Sequence, residues 1–260
     1  MSGSPYMTTS RGPTSRDELT IQWRYPNLEQ EAVDDGGRTR AIAADRALTA
    51  EEAFEVLAGD DPRPLLVLRE CLTCNGTDDA LLTREADNER TMLLTRWFHC
   101  VKLPPTVLED DHPFHVLFEG KKPAHLFVSQ RDGQGRIDLK GDQSRTELWG
   151  AMNAALAVAY DKVNKKAGPK KALSTLNKLL DDLDGLDEEL HLTERRLEDE
   201  IEDKGPDGRK AKKLAKELAD LRAERSALRA KAIEVSKLKL RDEEGRAKLL
   251  GTKAGDAKRG

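Results

Sequence analysis

Cys71 and Cys74 are the side chains of this 260-residue chain whose type and spacing most directly suggest chemistry. A thiolate is the nucleophile of sulfur chemistry, and two intervening residues let the second sulfur reach the first and close a disulfide. The pair follows Leu65-Leu66-Val67-Leu68, a short apolar run between turn residues that reads as a strand buried on both faces. Beyond it, Thr77-Asp78-Asp79 reads as the start of a helix reaching to about Arg96. A helix N-terminus carries roughly half a positive charge, which lowers a cysteine pKa from its free value of about 8.5. Glu70, Asp78 and Asp79 act against a thiolate by like charge.

Two other chemistries compete for these cysteines. Free cysteine is a small hydrophobe that suits a buried turn, so both sulfurs have a purely structural reading. Zinc is the other, because Cys71, Cys74, His99, Cys100, His112 and His115 contain two short pairs of ligand type. Tetrahedral zinc wants four such ligands in close pairs, but the pairs 71/74 and 112/115 are far apart and Pro113 interrupts the second. No metal ligand set and no cofactor is therefore expected. His99 and Cys100 point to opposite faces if residues 97–103 are a strand, which makes Cys100 a core residue. His125, next to Pro123, has two readings: a protonated imidazole favouring a thiolate, or a half-exposed strand residue. No Ser/His/Asp order, phosphate-cradling glycine loop or pair of catalytic carboxylates is evident.

The elements that must position these residues follow from periodicity. Leu19, Ile21, Trp23 and Tyr25 alternate with polar residues, predicting a strand stopped by Pro26. Residues 27–47 read as a loop. Thr49-Ala-Glu-Glu52 is a capping box that opens a helix closed at Gly59. Residues 97–103 and 124–128 are strand candidates, and Asp132-Gly133-Gln134-Gly135 turns the latter into Arg136–Leu139. Ser144-Arg-Thr-Glu147 is a second capping box, opening a helix with Leu148, Met152, Ala155, Leu156 and Ala159 on one face. The order β-α-β-α-β-β-α predicts an α/β three-layer sandwich with helices on both faces of a mixed central sheet.

After Lys165 the pattern changes. Leu173, Leu176, Leu180, Leu183, Leu186, Leu190, Leu197 and Ile201 recur at spacings of three, four or seven. A second series, Leu214, Leu218, Leu221, Leu228, Ala232 and Val235, follows the Lys204–Gly208 break. This predicts an antiparallel coiled-coil hairpin over 169–241. Residues 169–203 hold 5 basic and 12 acidic side chains, net −7, and residues 209–241 hold 12 and 4, net +8. Each exposed pair contributes only about 0.2–1 kcal/mol, so charge selects the partner while the apolar seam supplies stability.

With Cys-x-x-Cys placed between strand and helix, the region from about 47 to 163 resembles the thioredoxin-like fold family. Residues 120–157 carry much of that likeness: Pro123 before a strand, a glycine turn, a final strand, Gly141 and a closing helix. The resemblance implies a cis-proline at Pro123 that faces the dithiol and presents backbone to substrate. It also implies Cys71 as attacking thiolate, Cys74 as resolving thiol and protein thiols or disulfides as partners. Leu72-Thr73 stands between the cysteines in place of the family's Gly-Pro, and no buried acid lies within Leu65–Leu68. The hairpin is outside the resemblance.

Composition bounds the rest. The chain is 37% hydrophobic and 35% charged, against the usual ~45–50% and ~25%, so a large part of it is solvated surface. A net charge of −4 exerts no global pull on nucleic acid, which is not an expected partner. No apolar run reaches the ~18–20 residues of a membrane span, the first ten residues lack a secretory apolar core, and three cysteines suit a reducing cytoplasm. The expected organisation is a disordered 1–18, a thioredoxin-like domain over 19–165, the hairpin over 166–245 and a flexible tail over 246–260. The expected function is a thiol–disulfide oxidoreductase, or redox-responsive protein, whose hairpin docks a protein partner or forms a homo-oligomer. The alternative is a non-catalytic interaction scaffold.

Overall fold

The computed structural model describes residues 11–26, 47–71, 80–83, 87–161 and 168–251. In chain order its helices and strands are α1 (Pro13–Glu18), β1 (Trp23–Arg24), α2 (Ala50–Ala58), β2 (Leu65–Arg69), α3 (Glu89–Thr95), β3 (His99–Leu103), β4 (Leu126–Ser129), β5 (Ile137–Leu139), α4 (Arg145–Ala159), α5 (Pro169–Lys204), α6 (Arg209–Ser236) and α7 (Glu243–Leu250). They fall into two compact units, one of Ile21–Lys162 with Lys239–Gly260 and one of Met1–Thr20 with Val163–Leu238.

The first unit is built on a five-stranded mixed sheet ordered β1-β3-β2-β4-β5. β1, β3 and β2 are parallel, whereas β4 runs antiparallel to β2 and β5 to β4. β2 is buried at every position, as its continuous apolar sequence requires of a central strand. Leu65, Val67, Val101, Leu103 and Phe127 face a core made with Phe54 and Leu57 of α2 and with Phe114, Leu117 and Phe118. Those last three come from the 104–125 connection, whose two turns of 3-10 helix, Pro105–Leu108 and His115–Leu117, sequence periodicity does not reveal. Both predicted capping boxes form: Thr49 and Ser144 accept from the Glu52 and Glu147 amides, and both glutamates reach back. Trp149 Nε1 donates to Thr91 Oγ1 and Tyr160 Oη to Trp97 O, tying α4 to α3 and to the entry of β3.

The second unit centres on α5 and α6, joined by a short turn at Gly205–Gly208 and packed along each other as an antiparallel pair. Leu186, Leu190, Leu218 and Leu221 form the buried seam, with Leu197 and Leu228 against it. The opposed charges meet as Glu194–Arg222, Asp187–Arg225 and Glu200–Lys210. Ile201, expected in the seam, is 38% exposed, and the neighbouring Glu200 takes the buried position because Lys204 and Lys210 neutralise it.

Four expectations change. Residues 13–18, expected to be disordered, form α1, because α5 supplies the partners their own sequence lacks. Arg11 bonds Asp181 and Asp184, the Gly12 amide donates to Asp184, and the amide and hydroxyl of Thr14 donate to Asp187. The first strand is only Trp23–Arg24, since Leu19 caps α1 and turns inward to a buried site. The helix expected from Thr77 is present over Glu89–Thr95, and residues 80–83 are not helical. There the Asn88 side chain accepts from the Thr83 amide and donates to its carbonyl, the backbone's alternative to continuing a helix. Within the expected tail, residues up to Leu250 form α7, opened by the Asp242 side chain accepting from the Gly245 amide. Residues 1–10, the 27–46 stretch, Leu72–Asp79 and residues from 252 onward lie outside the described residues.

Candidate functional site around Cys71

Cys71 stands where β2 leaves the sheet. The ladder runs one residue past the strand, as the Glu70 amide donates to Leu103 O at 2.8 Å, and Cys71 follows, partly buried. Because β4 is antiparallel to β2, its incoming chain reaches the same edge. The Arg69 amide donates to His125 O at 2.8 Å, and the His125 amide donates to Leu139 O at 3.1 Å. Arg69 Nε donates to Ala124 O at 3.2 Å. The segment Pro123-Ala124-His125 thus arrives at the end of β2 from which Cys71 emerges. Cys71 is disulfide-bonded. Cys74, the second sulfur of the redox reading, lies outside the described residues.

Sequence reading missed a buried charge at this end of β2, which also carries the acidic Glu70. Arg69 is 5% exposed, and its one side-chain hydrogen bond goes to a carbonyl. Among the described residues no carboxylate pairs with it. Burial lowers its pKa, but a guanidinium keeps its proton across the physiological range. In extended chain two residues span about 7 Å, which puts Arg69 and Cys71 at one end of β2 with Glu70 between them. The signal of Arg69 in the sequence was a charged residue ending an apolar run, which reads as the solvent boundary.

His125 is held below its ordinary pKa, first by burial and then by the charge of Arg69, with Asp142 opposing. Burial and Arg69 thus both disfavour the imidazolium that would support a thiolate. Gly141, at φ +99°, lets the chain pass under the ring, where a Cβ would stand 3.2 Å from His125 Cγ.

The expected cis bond at Pro123 is not found; no cis peptide occurs among the described residues. Pro123 stands three residues ahead of β4, and the chain approaches through Ala124 and His125 in ordinary trans geometry. The expected helix N-terminus behind the cysteines is not supplied by α3, which begins at Glu89.

The zinc set is scattered. Leu65 pairs with His99, so His99 and Cys71 are six residues apart along the sheet, roughly 20 Å at strand rise. His99 bonds Asp61, His112 Nδ1 accepts from the Phe114 amide, and His115 Nε2 is 3.6 Å from Asp110. Cys100 faces away from His99, is 3% exposed, and has its thiol pushed up by burial to about 12, which makes it inert packing. Among the described residues no group of three or more metal-ligating side chains converges, and no helix is long and apolar enough to cross a membrane. No protein-family model, curated protein or solved structure matches the chain.

Proposed function

We propose that the sheet unit is a thioredoxin-like thiol–disulfide oxidoreductase acting through Cys71 and Cys74. The observation that carries this reading is the placement of Cys71 at the end of the central strand, beside the Pro123–His125 segment and the buried Arg69. The element order β1-α2-β2-α3-β3-β4-β5-α4 supports it, being the β-α-β-α-β-β-α pattern on which the resemblance rests.

In the reaction the Cys71 thiolate attacks one sulfur of a substrate disulfide. The substrate's S–S bond breaks, and a mixed disulfide with Cys71 forms as the other substrate sulfur leaves as a thiolate. The Cys74 thiolate then attacks the Cys71 sulfur, releasing the second substrate thiol. The substrate gains two electrons, the cysteine pair is oxidised, and a dithiol reductant recharges it. The backbone at Pro123 would border the substrate's path to Cys71.

Insulin reduction driven by dithiothreitol tests this. Wild type should accelerate precipitation of the insulin B chain, and Cys71→Ser and Cys74→Ser should fall to background. Background turnover by all three proteins overturns the proposal and leaves the scaffold reading, in which the α5–α6 pair with exposed Leu192 and Ile233 is the working surface.

A further inference from the structure

The other end of the same sheet carries a cavity that the redox reading does not use. Its volume is about 320 Å³, within the roughly 300–1,000 Å³ of small-molecule sites. Val56, Leu57 and Ala58 of α2 and Val101 of β3 give it apolar walls, while Arg24, Asp60, Asp61 and His99 bring polar groups to it. His99 and Asp61 form a dyad within it. His99 Nδ1 is 2.9 Å from Asp61 Oδ2, with the two side chains 12% and 21% exposed.

The carboxylate is itself fixed. Arg63 donates from Nε at 3.0 Å to Oδ1, from Nη2 at 2.6 Å to Oδ2, and from its backbone amide at 3.0 Å to Oδ1. Burial alone would raise the Asp61 pKa, but the hydrogen bonds and charge of Arg63 outweigh it and hold the group well below the usual carboxylate range. An anionic Asp61 accepting from Nδ1–H selects one tautomer of His99, leaving the Nε2 lone pair as the acceptor of a ring that lines the cavity. Among the described residues Nε2 has no hydrogen-bond partner. At the rim Arg24 is exposed and makes no ion pair among the described residues, so a guanidinium faces solvent and is open to an anion.

We infer that this cavity binds a small organic hydroxy acid. The ligand's hydroxyl donates to His99 Nε2, its apolar body lies on Val56, Leu57 and Val101, and its carboxylate meets Arg24. Recognition resides in two polar contacts on an apolar wall, the composition of a specific small-molecule pocket. The site is independent of Cys71, which stands roughly 20 Å away along the sheet.

The probe is 4-hydroxybenzoate, titrated into the full chain and followed by two-dimensional NMR of backbone amides and imidazole nitrogens. Without ligand, the neutral His99 ring should carry its proton on Nδ1. The probe should shift His99, Val101 and α2 signals saturably. Arg24→Ala, which removes no side-chain hydrogen bond or ion pair among the described residues, should weaken binding about tenfold, the scale of one charge-assisted hydrogen bond. Benzyl alcohol, lacking the anion, should bind wild type and Arg24→Ala equally weakly. His99→Phe should abolish saturation while amide dispersion reports an intact fold. An Nε2–H tautomer, absence of saturation at millimolar probe, or equal affinity in wild type and Arg24→Ala each overturns the inference, the dyad then serving only to tie the 61–64 turn to β3.

Discussion

At the scale of single residues, the chemistry proposed for Cys71 has a buried guanidinium, Arg69, two positions away in the chain. A buried guanidinium, paired with no carboxylate among the described residues, favours negative charge in its neighbourhood while Glu70 opposes it, so substitution of Arg69 tests whether its charge reaches Cys71. Alkylation of reduced Cys71 by iodoacetamide, in a Cys74→Ser background, should follow a pH profile that moves up in Arg69→Met and largely returns in Arg69→Lys. An unmoved profile would take Arg69 out of the chemistry. Cys100 gives the internal reference, since its buried thiol should stay unlabelled until the protein unfolds.

Asp61 makes a second residue-scale prediction. Its folded pKa lies below the ordinary 3.8, so its contribution is present above that value and fades as pH falls through the folded one. The urea midpoint should therefore drop as pH is lowered below about 4, and Asp61→Asn should flatten that fall by removing the titrating group.

At the scale of elements, the turn between β4 and β5 is held from both sides. Gly133 adopts φ +81°, and a Cβ added there would collide with the Phe54 ring of α2. Gly133→Ala should destabilise by about 2–3 kcal/mol through the combined backbone and packing cost, read as a lowered urea midpoint with unchanged slope. Asp132→Ala at the same turn, an exposed residue accepting one hydrogen bond from the Gln134 amide, should cost about 1 kcal/mol or less. Elements such as this hairpin, the two capped helices and the α5–α6 pair were legible in the sequence because their determinants are close together. A Thr or Ser faces a Glu three residues on, and a leucine repeats on one helical face. α3 was misplaced because its boundary depends on Asn88 folding back onto Thr83, an outcome for which capping residues at Thr77–Asp79 offered an equally good local alternative.

At the scale of the whole molecule, the chain begins in one unit, passes through the other and returns. α1 belongs with α5 and α6, although 150 residues separate Glu18 from Gly168. A six-residue helix is far below the length at which a helix is stable alone, so α1 persists through its contacts with α5. Asp184 and Asp187 cap it from another element, Ser15 Oγ donates to Leu180 O, and Glu18 pairs with Arg229. Asp187→Ala should accelerate amide hydrogen exchange of residues 13–19 about tenfold, the scale of one lost cap, while leaving the sheet core protected. Uniform protection in the variant would show that α1 is held by packing alone.

The residue order by itself determined what is decided within a few positions: the apolar central strand, the two capping boxes, the turn at residues 132–135 and the paired leucine repeats with opposite charge. Tertiary structure alone decided which charges are buried. Arg69 on the Ala124 carbonyl, Asp61 between Arg63 and His99, and Arg11 between Asp181 and Asp184 link groups whose separations in sequence run up to 173 residues. Such pairs leave no periodic trace, because their energy depends on a low-dielectric setting and a distance that exist only after the sheet and the helical pair have formed.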